Sequence, residues 1–145
     1  METDALKTGS APVRASEEQE SAIAEMVRLF YQYGLADAVL GPIFREAIRE
    51  WPEHMARVAD FWSGAIHGTE RYRGNVYAAH VKLKFGADAF DHWLAAFEAA
   101  ASEALAPADA ATALRVARHM LKSFEAGLFP FTGADGRPSR VAPRN

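Results

Sequence analysis

Five histidines stand in the chain, His54, His67, His80, His92 and His119, and two are placed to do chemistry. His54 heads a stripe in WPEHMARVADFW, residues 51–62, ahead of Val58, Phe61 and Trp62 at helical spacing. An imidazole on an otherwise apolar face needs a hydrogen-bond partner, a ligand or a metal, because burying it unpaired is costly. His80 closes VYAAH, in a short segment after a Gly-Asn turn. A helix, a polar loop and a short returning helix bring the two segments face to face. Two imidazoles then look into a slot from opposite walls.

The aromatic residues available to line that slot are Tyr31, Phe44, Phe61, Trp62, Trp93 and Phe97. A flat, apolar, iron-containing ligand suits it, and one histidine suffices to hold heme iron. Tyr31 is the least ordinary of the aromatics, since a buried phenol needs a partner for its hydroxyl. The alternative for each histidine alone is a satisfied core or surface residue, and for the aromatics an ordinary core. His67, His92 and His119 are assigned to that alternative: His67 sits at a helix end, the others on helix backs.

Other chemistries fail on spacing. No two histidines stand at HxxxH and no Glu lies three residues before one, which removes zincin and di-iron carboxylate sites. There is no GxSxG, and YRGNVY lacks the Lys-Ser/Thr of a phosphate loop. The absence of cysteine removes disulfides, zinc–thiolate sites and iron–sulfur clusters. A net charge of −3 and a pI near 5.9 argue against nucleic acid as a partner. No run of about 18 apolar residues spans a membrane, and METDALKTGSAPVRAS has no signal-peptide core. A cytoplasmic protein is expected.

The elements that must position the two histidines are helical. A capping box, Ser16 with Gln19, opens a helix whose stripe is Ile23, Met26, Val27, Phe30 and Tyr31 and whose end is placed at Gly34. Pro42 opens a short helix carrying Ile43, Phe44 and Ile48. Pro52 and Glu53 begin the helix of the opening stretch, which ends near Gly68. Residues 76–85 read as a short helix turning into an extended piece. A helix from about 88 to 105 carries Phe90, Trp93, Leu94 and Phe97. Pro107 opens the last helix, with Leu114, Ala117, Leu121, Phe124 and Leu128 inward. One domain over 16–131 is expected between two disordered tails, 1–15 and 132–145. The unequal helices do not read as an up-down four-helix bundle, and no heptad seam points to a dimer, so a monomer is expected.

In order and spacing, LFYQYGLADAVLGPIF, WPEHMARVADFWSGAIHGTERYRGN, AAH and FDHWLAAF resemble the third group of truncated hemoglobins, over roughly residues 19 to 125. The resemblance implies an all-α, globin-like fold, a two-over-two helical sandwich around heme b. It implies that His80 is the proximal ligand to a five-coordinate iron that binds O2, NO and CO. It places His54 and Tyr31 on the distal side with Trp93, a second donor. It packs Phe44 on the porphyrin and lines the distal pocket with Val58, Phe61 and Trp62.

Three positions depart from the family. Val76 follows Gly-Asn where Pro is frequent, so a looser loop before His80 is expected. His67 stands where an apolar residue is usual. Lys82 and Lys84 follow the proximal histidine where the family is more apolar; with Arg71 and Arg73 they are candidates for the heme propionates, against a solvated reading. The resemblance leaves two rivals to plain ligand binding. One is a heme enzyme with peroxidase-like or NO/nitrite-converting activity, served by a reductase. It ranks lower because no arginine is expected beside His54 on the distal face. The other is a heme-free helical module that docks a partner in its apolar groove.

Overall fold

The computed structural model describes residues 13–81, 83 and 85–142. Calls on residues 1–12, Lys82 and Lys84 lie outside the described residues.

Helix α1 spans Glu17–Ala36. Both arms of the capping box form: the Ser16 N–H donates to Gln19 Oε1 at 2.8 Å and the Gln19 N–H to Ser16 Oγ at 3.0 Å. Three glutamates in the first turn complement the dipole. The helix runs through Gly34 rather than stopping there, and Asp37 is its C-cap. Gly34 is a contact residue instead: a Cβ there would collide with the Phe44 ring.

Helix α2, Leu40–Ala47, begins two residues before Pro42. The cause is Asp37, whose Oδ1 accepts the N–H of Val39 at 2.8 Å and of Leu40 at 3.0 Å. Pro42 then sits in the first turn, where its missing N–H costs nothing. Helix α3, Trp51–His67, has Pro52 in its first turn and ends on Gly68 in the left-handed conformation, φ 76°. Helix α4, Val76–Val81, is held at its start by Asn75, whose Oδ1 accepts the Ala78 N–H at 3.0 Å. That cap gives the Gly-Asn turn an anchor that does not depend on a proline. Neither Leu83 nor Phe85 lies in a strand, so the extended piece expected there is not found among the described residues.

Helices α5, Asp88–Ala104, and α6, Pro107–Leu128, complete the set. α1 packs on α3 and α5, and α6 packs on α5 and α3. The result is mostly α: one pair of helices, α1 with α3, packs against another, α5 with α6. Ala96, Ala100 and Ala101 on α5 and Ala110, Ala113 and Ala117 on α6 are all buried. Their small side chains let these helices approach closely. Leu114 and Leu121, expected inward, are only partly buried.

The segment read from sequence as a tail carries, in its described part, a hairpin of β1, Phe131–Thr132, and β2, Pro138–Ser139. The main core runs through α1, α2, α3, α5 and the first half of α6. A smaller cluster of Phe90, Phe124, Leu128 and Phe129 forms below it. Between the two lies a cavity.

Candidate functional site

The cavity measures about 300 Å³ and is walled by α1, α2, α3, α4, α5 and α6. All eight residues singled out in the sequence line it: Tyr31, Phe44, His54, Val58, Phe61, Trp62, His80 and Trp93. Each arrives by helical spacing. His54, Val58 and Phe61 share a face of α3 and are only partly buried by their own neighbours. Trp62, one position on, is buried and stacks on Phe97 with centroids 4.5 Å apart. Trp93 also stacks on that ring, at 5.1 Å and an interplanar angle of 11°. No hydrogen bond from another described residue takes up the Trp93 indole N–H.

On one wall the Tyr31 hydroxyl meets His54 Nε2 at 2.6 Å. The phenol is buried, and desolvation pushes its pKa well above the ordinary value, so it keeps its proton. Burial pushes the His54 pKa down, with smaller contributions in the same direction from the positive charge of Arg57 and from His80. A neutral imidazole therefore faces a neutral phenol. Either group can donate, depending on the tautomer of His54.

Also on the lining, on α4, His80 Nδ1 lies 2.7 Å from the Val76 carbonyl. A carbonyl only accepts, so Nδ1 carries the proton. Burial pushes the His80 pKa down, against a smaller opposing effect of that hydrogen bond. The neutral ring thus presents an unprotonated Nε2, the form in which imidazole binds a metal with its other nitrogen fixed. Phe124 supports the ring at 5.1 Å between centroids.

Sequence reasoning missed Trp51 and Arg57. Trp51 contacts Tyr31 edge-on at 5.2 Å and flanks His54 at 6.2 Å. It stands three places before His54, a spacing that was available to read. Arg57 lines the cavity, and its charge acts on His54. This corrects the expectation that no arginine lies next to His54: one turn of α3 separates them.

The other basic candidates are engaged elsewhere or outside the description. Arg71 bonds Glu20 at 2.7 Å and Asp60 at 2.5 Å, tying the loop after α3 to α1 and α3. Glu20 also accepts from Ser63 Oγ at 2.8 Å, and Ser63 meets Thr69 at 2.7 Å. Arg71 is therefore a structural clamp and not a residue of the cavity. Arg73 is exposed and does not line it.

The remaining histidines lie apart from the cavity. His67 pairs with Asp109 across α3 and α6 at 3.7 Å, which accounts for a polar residue there. His92 Nδ1 meets Asp37 at 2.9 Å. That bond raises the imidazole pKa and lowers that of the carboxyl. His119 is exposed.

No family model matches the chain. The Group 3 truncated hemoglobin ctb of Campylobacter jejuni subsp. jejuni serotype O:2 is 37% identical over 84 residues, a match covering 54% of this chain. The matched stretch spans 66% of that relative's own length, just under two thirds. The crystal structure of group III truncated hemoglobin from Campylobacter jejuni superposes with a TM-score of 0.71 and 27% identity, over 82% of this chain and 96% of that one. The helical layering, the cavity between two histidines and these two likenesses agree: the chain belongs to the third group of truncated hemoglobins.

Proposed function

We propose that this chain binds heme b in the cavity, with His80 as the axial ligand of a five-coordinate iron, and takes O2, NO or CO on the His54 side. The observation that carries the reading is the tautomer of His80. Its Nδ1–H is spent on the Val76 carbonyl, and its Nε2 is unprotonated on the wall of a mostly apolar cavity. Among the described residues no three His, Cys, Asp or Glu side chains gather as a metal site. A histidine with an unprotonated Nε2 in a mostly apolar slot suits a metal that brings its own macrocycle. Heme, when bound, supplies an iron with one position open to a diatomic ligand.

The chain's own residues set what happens at that position. Phe44, Val58, Phe61 and Trp62 exclude water, which strengthens any polar contact made inside. Tyr31 and Trp93 are the donors that can reach a ligand. Tyr31 is free to donate when His54 presents Nε2–H to the phenol oxygen, or when His54 leaves it. Two donors slow ligand release, each worth about 1 kcal/mol. Arg57, exposed yet on the cavity lining, offers a cation for a propionate at the mouth.

A second reading is a heme enzyme acting on peroxide or on NO and nitrite. The placement of Arg57 one turn from His54 favours it, since an imidazole beside a guanidinium can move a proton next to stabilised negative charge.

Heme titration of the purified chain tests the first reading. The wild type is expected to take up one heme with a Soret band, and His80→Ala to retain less than about a tenth of it. Undiminished retention by His80→Ala would move the axial ligand elsewhere. Stopped-flow mixing with peroxide separates the second reading: turnover lost in Arg57→Ala would support it.

A further inference from the structure

The C-terminal hairpin brings one arginine back onto the His80 wall of the cavity. Arg140 lies over two rings at once, its guanidinium carbon 4.8 Å from the Phe85 centroid and 5.0 Å from that of Phe129. The same guanidinium donates to the Leu83 carbonyl at 3.0 Å. Leu83 in turn donates its N–H to the His80 carbonyl at 3.1 Å. Leu83, Phe85 and Phe90 all line the cavity, and Phe85, Phe90 and Phe129 pack edge to face at 5.5 to 5.8 Å. Arg140 therefore touches, with one planar group, the backbone that leaves α4 and the aromatic floor beside it.

A planar cation suits this place. It can stack on aromatic faces and still direct N–H groups in its plane to a carbonyl. Helix α4 is only six residues long, too short to hold its own shape. Asn75 anchors its start. We propose that Arg140 anchors its end, so that the hairpin acts as a latch holding His80 in register with the cavity. Arg140 is a positioning residue in this account, acting through Leu83 and Phe85 without touching the cofactor. The proposal rests on the reading of His80 as the axial ligand for its effect on heme. Its effect on α4 stands without that reading.

The test compares Arg140→Ala, Arg140→Lys and Arg137→Ala with the wild type. Amide hydrogen exchange of the heme-free proteins is read over residues 76–83. Faster exchange there in Arg140→Ala, with unchanged protection in α1 and α3, is expected. In heme-loaded protein, Arg140→Ala is expected to release heme about tenfold faster to an acceptor globin and to shift the iron–histidine stretching frequency in the ferrous state. Arg140→Lys should restore part of both effects, because it keeps the charge and loses the plane. Arg137→Ala, altering an exposed arginine of the same segment, should change neither. Exchange in α4 and heme release both at wild-type values in Arg140→Ala would overturn the latch. If the wild type takes up no heme, the heme reading fails, and the exchange result alone still decides the latch.

Discussion

The hydrogen bond between Tyr31 and His54 joins two groups of unequal burial. Tyr31 is 8% exposed, whereas His54 is only partly buried. Removing one partner is therefore not equivalent to removing the other. In the heme-free protein, His54→Ala strands the hydroxyl and is expected to cost about 1–3 kcal/mol. Tyr31→Phe leaves an imidazole that can rehydrate, and is expected to cost less. Urea denaturation of the two variants checks the order, and a reversed order would mean that another group satisfies Tyr31. In heme-loaded protein, Tyr31→Phe is expected to raise the O2 dissociation rate about fivefold. An unchanged rate would assign the ligand contact to Trp93 or His54. That Tyr31 and His54 each need a partner was legible, because a polar group on an apolar face demands one; that they partner each other was not. Arg57 was not, because an exposed arginine on a helix is the ordinary case and only the cavity's position gives it meaning.

Elements that hold the cavity are tied together by residues outside it. Asp37 caps α2 and bonds His92 on α5, so one carboxylate joins three helices' worth of structure. The pair makes stability depend on pH. The folded pKa of His92 is raised above 6.5, so its contribution is full below that value and fades as pH rises through the raised one. The folded pKa of Asp37 is lowered below 3.8, so its contribution is full above that value and fades as pH falls through the lowered one. The full effect lies between those two ordinary values. His92→Ala is expected to lower Tm most within that window and progressively less above it, as read by thermal melts across pH. A constant difference at all pH values would show that the pair's charge is irrelevant.

Gly34 makes the same point by packing. Gly34→Ala puts a methyl into the Phe44 ring and is expected to destabilise by about 1–3 kcal/mol. Helix starts were readable from Ser16, Pro52 and Pro107, since caps and prolines act locally. The end of α1 was not, because Gly34 answers to Phe44, ten residues on, and no local rule sees that contact. The hairpin was missed for the same reason: Gly and Pro around residues 133–138 fit a tail as well as a turn, and Arg140 matters only through Phe85, Phe129 and Leu83.

At the scale of the whole molecule, a four-helix sandwich with an apolar cavity of about 300 Å³ forgoes packing in its middle that a core of this size would otherwise have. A ligand that binds the folded chain and not the unfolded one restores stability by mass action. Heme is accordingly expected to raise Tm by several degrees, more in the wild type than in His80→Ala; equal shifts would mean that heme adheres elsewhere. The fold as a whole was the most legible level, since the order of motifs along the chain and the period of each helix point to one arrangement. The ligand chemistry was less so, because His54 and His80 both line the cavity and an imidazole of either could take a metal. The direct measurement is the absorption spectrum of the ferrous, heme-loaded chain before and after CO. The ferrous chain is expected to show a five-coordinate high-spin spectrum that CO converts at once to a sharp six-coordinate Soret band, with the starting form lost in His80→Ala. A six-coordinate low-spin spectrum before CO, abolished by His54→Ala, would make both histidines ligands and contradict the five-coordinate reading.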